Sequence, residues 1–244
     1  MRAIRDVRIR TLALVDALAE GEPASWVLAL GSIVARAHVV DDADAVEMLE
    51  TLTHAVADPA LPYRVRQRLY QAAIEQNLPA IARLFLLASP KNTLSPTLTK
   101  QLGPERPLRP TDRPLTLGER KSLARTHRRD KLTLLVRDPH PQVVAILLDN
   151  PHVTEQDIVR MAAARPAVPE SLGLIACHTR WSVRHAVKRA LVLNPSTPLA
   201  DAIRIATTLR SPELAELAAD ASLPEPLRRH ASELLADLAS RPRA

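Results

Sequence analysis

Apolar residues recur with a helical period along the first third of the chain. The first stripe ends at Gly21 and the next helix is predicted over Pro23–Val39, because glycine commonly ends a helix and proline is tolerated in the first turn. A capping-box pattern at Asp44–Glu47 predicts a third helix, and two more are predicted over Tyr63–Gln76 and from Pro79. The positions expected to face the core are Ile4, Val7, Leu14, Val15, Leu18, Val46, Leu49, Leu52, Val56, Val65, Leu69, Ala72, Ile81, Leu84, Phe85 and Ala88.

The helical period is lost between residues 89 and 117, where six prolines occur. A stretch of this length without periodicity is unusual inside a compact domain, so we interpret it as a linker or an extended crossing segment. The chain is therefore predicted to form two lobes, an N-terminal helical lobe over residues 1–88 and a C-terminal lobe of helical repeats over residues 118–244.

Short patterns repeat along the chain. Asn150-Pro and Asn194-Pro, 44 residues apart, each follow an apolar helix end, and this spacing is typical of helical hairpins. Residues 58–66 align without a gap to residues 220–228, sharing Asp, Leu, Pro, an aliphatic residue and Arg at the same offsets. Units of this kind bury their apolar faces against their neighbours.

Composition favours helices over sheets. The chain has five glycines, 21 prolines and five aromatic residues among 244, so leucine, alanine, valine and isoleucine must fill the core. Such side chains suit close helix packing, and scarce glycine disfavours tight strand turns. We expect an all-α fold, specifically a right-handed α-solenoid of short helical-hairpin repeats in two lobes.

Two stretches resemble known helical repeats. Residues 181–191 (Trp-Ser-Val-Arg-His-Ala-Val-Lys-Arg-Ala-Leu) resemble the second helix of HEAT-like repeats, and residues 193–198 (Leu-Asn-Pro-Ser-Thr-Pro) resemble the leucine-rich repeat variant. The resemblance extends over residues 41–88 and 118–240 and implies a superhelical scaffold that works by binding. One relative of the variant family is associated with a cysteine-ligated iron–sulfur cluster, which the single cysteine, Cys177, does not carry over here.

Motifs for catalysis are missing from the sequence. It contains no His-Glu-x-x-His, no cysteine pair, no glycine-rich phosphate loop and no Gly-x-Ser-x-Gly, so we expect no catalytic residue, cofactor or metal. We interpret Cys177 as a buried thiol beside surface histidines, His178 and His185. The HEAT-like resemblance implies one possible enzyme class, DNA glycosylases for alkylated bases, but the dispersed aromatic residues match that class poorly. The aspartates expected at turns and caps, with some also pairing to repeat arginines, are Asp58, Asp138, Asp149, Asp157 and Asp220.

Two basic stretches are candidate binding surfaces. The net charge of +6 and the pI near 10.1 favour anionic partners. Residues 118–138 carry seven cations against three acids, and in a helix over residues 180–193 the cations 180, 184 and 188 would share one side, near an indole. The candidate contacts are Arg120, Lys121, Arg125, Arg128, Arg129, Lys131, Arg180, Trp181, Arg184 and Lys188.

Each basic stretch also has a purely structural interpretation. The first is compatible with the solvated outer face of a repeat, and Trp181 is compatible with packing at the start of a helix, the place that Tyr63 also holds. We expect a non-enzymatic scaffold that binds a protein partner through a basic repeat face, and an acidic partner would complement that charge. The alternative is a sequence-nonspecific nucleic-acid binder.

The charged first residues are a poor secretory signal, and the most apolar segment, residues 24–40, contains Arg36 and His38. The sequence therefore predicts no membrane span and a cytoplasmic location. It leaves the oligomeric state open.

Overall fold

A computed structural model describes residue 4 and residues 6–39, 42–85 and 115–240. These residues form fourteen helices and no strand, which confirms the all-α prediction for the described part of the chain. Residues 86–114, which contain Ala88 and nearly all of the predicted linker, lie outside the described residues. The described residues include no helix that is both long enough and apolar enough to cross a membrane.

The helices begin and end close to the residues predicted from the glycine, proline and capping patterns. In chain order they are α1 (Val7–Glu20), α2 (Pro23–Val39), α3 (Ala43–Ala57), α4 (Tyr63–Glu75), α5 (Pro79–Phe85), α6 (Leu117–Ala124), α7 (Arg129–Leu135), α8 (Pro141–Asp149), α9 (Glu155–Ala163), α10 (Pro169–Cys177), α11 (His185–Val192), α12 (Leu199–Ala206), α13 (Ser211–Ala219) and α14 (Glu225–Ser240).

The chain divides into two compact units. Unit 1 contains the described residues up to 85 together with residues 199–240, and unit 2 contains residues 115–198. Residues 199–240 therefore group with the N-terminal helices, whereas the sequence predicted them as part of a C-terminal lobe over residues 118–244. Contacts between residues about 150 positions apart join the two parts of unit 1: the Arg204 guanidinium donates to the Thr53 carbonyl at 3.2 Å, and Arg83 donates to Glu233 at 2.7 Å.

Unit 1 has a leucine-rich core in which α2 packs on α3 and α4, and α14 packs on α12, α13 and α5. Two local predictions were wrong. Asp42, and not Asp44, caps α3, since its carboxylate accepts the backbone N–H groups of residues 44 and 45 at 3.1 and 3.2 Å. Val46, expected in the core, is exposed because the buried stripe of α3 runs through Ala45, Leu49, Leu52 and Val56.

Gly21 ends α1 as predicted, and space requires the glycine there. A Cβ at this position would overlap Nε1 of the Trp26 indole, so a side chain here would force the indole to move. The backbone φ of −80° is open to any residue, so close approach selects glycine here.

The predicted alignment of residues 58–66 with residues 220–228 is matched by equal geometry. Asp58 ends α3 and accepts the Ala60 N–H at 2.8 Å, and Asp220 ends α13 and accepts the Ser222 N–H at 2.9 Å. Leu61 and Leu223 are buried at the same offset. Both copies lie in unit 1, so the similarity relates two helix junctions of one unit.

Helices of unit 2 contact second neighbours in the chain. α6 packs on α8, α8 packs on α10, and α9 packs on α11, while α6–α7, α9–α10 and α10–α11 contact each other as consecutive helices. The core between them is formed by valine, leucine and isoleucine, including Val143, Leu147, Ile158 and Ile175.

Candidate interaction surface

A single asparagine joins two helix ends of unit 2. Asn150 follows α8, and its Nδ2 donates to the carbonyls of Ala124 at 2.8 Å and Thr126 at 2.9 Å, where α6 ends. Its Oδ1 accepts the His152 N–H at 2.9 Å. The loop after α8 is therefore hydrogen-bonded to the loop after α6.

Asn194 repeats this arrangement after α11. Its Nδ2 donates to the carbonyls of Ala162 at 2.8 Å and Ala164 at 2.9 Å, and its Oδ1 accepts the Ser196 N–H at 3.0 Å. The two predicted Asn-Pro helix ends are thus structurally equivalent junctions, and buried amides satisfy the carbonyls that a helix end leaves open.

Different residues make the corresponding junction after α10. The His178 Nδ1 accepts the Arg180 N–H at 3.3 Å, so its Nε2–H donates to Asp149 at 3.1 Å, at the end of α8. The Trp181 indole N–H donates to the Leu148 carbonyl at 2.8 Å. The loop after α10 is therefore attached to the end of α8, as the loop after α8 is attached to the end of α6.

These bonds place three loops side by side: residues 125–128, 150–154 and 178–184, which we call the loop edge. The loop edge contains four arginines and three histidines and no aspartate or glutamate. The His127 and His152 rings lie with their centroids 6.3 Å apart, directly across the first two loops. The acidic residues that flank the loop edge in sequence are Asp130, Asp149 and Glu155.

Three of the predicted contact residues are buried and do not belong to a surface. Arg120 is 4% exposed and donates to both carboxylate oxygens of Asp138, at 2.7 and 2.9 Å. Trp181 is 2% exposed, which agrees with its structural interpretation, and Lys188 is 7% exposed. Sequence reasoning assigned these three residues to the surface because it considered their charge or indole N–H and could not show the partners that bury them.

The Arg129 side chain is about half exposed. Its guanidinium donates two hydrogen bonds to Asp157, whose side chain is fully buried at the start of α9. Burial by itself raises the pKa of Asp157, but the hydrogen bonds from Arg129 and from the Thr154 backbone and hydroxyl outweigh it and lower the pKa to about 2. Arg129 therefore holds α7 against α9. Asp157 accepts hydrogen bonds from the backbone N–H and the hydroxyl of Thr154, the N-cap of α9, and so completes the cap that the sequence predicted.

The expected helix over residues 180–193 begins later. Residues 179–183 form turns, Arg184 is the N-cap, and α11 starts at His185. Val187 is buried as predicted, whereas Ala186 is exposed and Val183 only half-buried. Arg180 lies before the helix, so it does not share a helix side with residues 184 and 188.

Arg180 instead lies over the buried indole, with its Cζ 4.2 Å from the ring centroid of Trp181. The remaining predicted contacts are exposed or half-buried. Arg128 has 63% of its side chain exposed, 3.4 Å from Asp130, and Lys131 is 3.8 Å from the same carboxylate. Lys121 donates to Gln142 at 3.1 Å, and Arg125 donates to the Lys121 carbonyl at 3.2 Å.

Asp58, Asp138 and Asp220 lie at turns or helix ends and Asp157 in the capping box of α9, as expected, whereas Asp149 is the last residue of α8. The predicted pairing of these aspartates with repeat arginines is only partly right. Asp138 pairs with Arg120, and Arg66 donates to the backbone carbonyl of Asp58 at 2.5 Å. Cys177 is exposed, against the predicted burial. Both nitrogens of His178 are engaged at the junction. In the described ranges, no group of three or more His, Cys, Asp or Glu side chains has the geometry to hold a metal ion.

Sequence reasoning missed the bridging role of Asn150 and the imidazoles of His127 and His152. The Asn-Pro step marked the helix end, but nothing in the local sequence shows that its amide reaches the carbonyls of residues 124 and 126. The candidate surface is therefore a row of loops and not the helix face that the charge pattern suggested. Comparison with protein-family models, with curated proteins and with solved structures gives no match.

Proposed function

We propose that this protein is a non-enzymatic helical-repeat scaffold whose loop edge binds an acidic segment of a protein partner. Its second unit is, in this proposal, a short α-solenoid of three helical hairpins. The second-neighbour contacts of α6 with α8, α8 with α10 and α9 with α11 support this arrangement, and so does the equivalent use of Asn150 and Asn194.

The observation that carries the proposal is the hydrogen bonding that joins three adjacent loops, the outer two of which carry arginines. Because the Asn150 amide and the Trp181 indole hold the loops together, their arginines are presented on a preorganised backbone. Preorganisation lowers the entropy lost on binding, and guanidinium groups pair with carboxylates through two hydrogen bonds.

A protein partner is favoured over nucleic acid by the position of Trp181. Nonspecific binding of single strands relies on exposed aromatic rings that stack on bases. Trp181 is the aromatic residue of unit 2, and its indole is buried with its N–H donated to Leu148. Nucleic acid remains the second candidate because arginine pairs with phosphate as well as with carboxylate.

The test is binding of fluorescent polyglutamate to the full chain, followed by anisotropy. We expect the double variant Arg128→Glu/Arg184→Glu to lose at least about tenfold in affinity, because two attractive exposed pairs become repulsive. Both side chains are exposed, so circular dichroism should show an unchanged fold.

The matched control is Arg137→Glu/Arg160→Glu, which changes the net charge of unit 2 equally at exposed positions outside the loop edge. The control should retain most of the affinity. Equal losses in the two variants would show that binding follows total charge, and the proposed function would then be wrong. Tighter binding of DNA or RNA of equal charge, lost in the first variant alone, would replace the protein partner by nucleic acid.

A further inference from the structure

The spacing of the loop edge defines the shape of its ligand, on the condition that the proposed function is right. The three loops follow α6, α8 and α10, which pack in that order. Packed helices lie about 8–10 Å apart, so we expect consecutive loops about 10 Å apart and, with the three helices in a row, the outer two about 20 Å apart.

The charge along the loop edge is distributed unevenly. Arg125 and Arg128 lie on the first loop, and Arg180 and Arg184 lie on the third. Between them stands the imidazole of His152, facing the ring of His127 at 6.3 Å. The outer loops thus offer guanidinium groups and the middle loop offers an imidazole donor.

The loop edge, all of which the structure describes, includes no large exposed apolar side chain. Val153 and Trp181 are buried, and among the described residues of unit 2 the large exposed apolar side chains, Leu134 and Leu174, lie within α7 and α10. A helical ligand binds through an apolar face that needs an apolar groove. An extended ligand needs only polar contacts at regular spacing.

We infer that the loop edge binds an extended peptide segment in which acidic residues recur at every third position. An extended chain in the polyproline II conformation has three residues per turn and advances about 3.1 Å per residue. Side chains at every third position therefore share one face and lie about 9 Å apart, close to the distance between consecutive loops. Acidic residues at positions 1 and 7 then face the arginines of the outer loops, and an acidic residue at position 4 faces His152.

The experiment compares two fluorescent seven-residue peptides of equal composition, built from three glutamates with serine and glycine. One carries glutamate at positions 1, 4 and 7, and the other at positions 1, 2 and 3. Anisotropy titrations use the full chain at low ionic strength, where exposed pairs are least screened. We expect the spaced peptide to bind about fivefold to tenfold more tightly, since each well-placed exposed pair contributes up to about fivefold.

The inferred register predicts which variants remove this preference. Arg128→Ala and Arg184→Ala should each reduce the spaced peptide's affinity about threefold and bring the two peptides closer together. Arg137→Ala, an exposed arginine outside the loop edge, should leave the preference intact.

Equal affinity of the two peptides would overturn the inferred spacing. If the Arg128→Glu/Arg184→Glu variant still lost polyglutamate binding, the proposed function would stand without the inferred spacing of acidic residues. Polyglutamate binding that survives in that variant would instead remove the proposed function itself. A tetranucleotide that binds more tightly than the spaced peptide would show that the loop edge selects phosphates.

Discussion

At the scale of single residues, the side-chain amides of Asn150 and Asn194 combine hydrogen-bond donors and an acceptor as few other side chains can. Each offers two N–H donors to carbonyls at the end of one helix and an acceptor to its own turn. Aspartate has the acceptor but lacks the donors, and leucine has neither. The geometry of the loop edge therefore depends on an amide at residue 150.

We predict that Asn150→Asp destabilises the protein by about 2 kcal/mol, because the carbonyls of Ala124 and Thr126 lose their donors and face a carboxylate. Urea denaturation followed by circular dichroism measures the change. Gln156→Glu, which adds the same charge at an exposed position of α9, should stay within about 0.5 kcal/mol of the wild type. An Asn150→Asp protein as stable as this control would contradict the bridging role.

Two neighbouring arginines, Arg128 and Arg129, are predicted to differ in how much they contribute to the free energy of unfolding. Arg129→Ala leaves the buried Asp157 carboxylate without its guanidinium and should cost about 1–3 kcal/mol at pH 7. Arg128→Ala should cost less than about 0.5 kcal/mol, since that side chain is exposed. Denaturant titrations of the two variants would refute the assignment if their midpoints were equal.

The depressed pKa of Asp157 gives the Arg129 prediction a pH signature. The folded-state pKa is about 2 and the ordinary value is 3.8. The ionised carboxylate therefore contributes stability above about pH 4, and this stability is lost as the pH falls toward 2. In Arg129→Ala the difference from wild type should shrink over that window, as acid denaturation curves would show.

At the scale of helices, the start of α11 at His185 determines which of two adjacent residues faces the core. Val187 is fully buried and Ala186 is exposed. We predict that Val187→Asp unfolds unit 2 by burying an unpaired charge, whereas Ala186→Asp changes the free energy of unfolding by less than about 1 kcal/mol. Thermal melts of the pair measure this, and similar melting of both variants would contradict the helix register.

In unit 1, α2 and α14 meet at a buried polar cluster around Thr207, which follows α12. The hydroxyl of Thr207 donates to the Ile203 carbonyl, so it accepts from Nε2 of His230 at 3.0 Å. The same residue's carbonyl accepts from Nε2 of His38 at 2.7 Å. Nδ1 of His230 is buried without a partner, so a second proton on this ring would be placed where nothing accepts it.

This cluster predicts acid sensitivity of unit 1. Burial, with the nearby charge of Arg83 and the ring of His38, lowers the pKa of His230 to about 3, and burial also lowers the pKa of His38. The unfolded chain binds these protons near pH 6.5 and the folded chain does not. Stability is therefore full above about pH 6.5 and falls toward pH 3, by up to about 1.4 kcal/mol per pH unit for one proton.

Urea denaturation between pH 7.5 and 4.5 checks this prediction. His230→Gln keeps a donor for Thr207 but does not titrate, so its stability should depend less on pH than that of the wild type. An unchanged slope in this variant would exclude His230 as the source of the acid sensitivity.

At the scale of the whole molecule, a net charge of +6 attracts anions in general, and salt separates the two classes of partner. Four arginines on duplex phosphates would release counterions and weaken binding about 100-fold between 50 and 200 mM salt. We predict that affinity for the spaced acidic peptide falls less than about tenfold over the same range. Anisotropy titrations in a salt series compare the two ligands, and a steep fall for the peptide would contradict the prediction.

The sequence by itself determined the helices. Periods of apolar residues, glycine and proline punctuation and the Thr154–Asp157 cap are interactions over three or four positions, so they predicted the all-α class and the bounds of α2 to within a residue. The repeated turns at Asp58 and Asp220 are local in the same sense, and the structure shows equal hydrogen bonds there.

Only the tertiary structure decided which helices share a core and which cations reach solvent. The packing of residues 199–240 with the N-terminal helices rests on contacts across about 150 positions. The burial of Arg120 and Trp181 depends on partners 18 and 33 positions away. Local patterns contain no record of such partners, because any carboxylate or carbonyl in the chain is an equally good acceptor until packing brings one of them near.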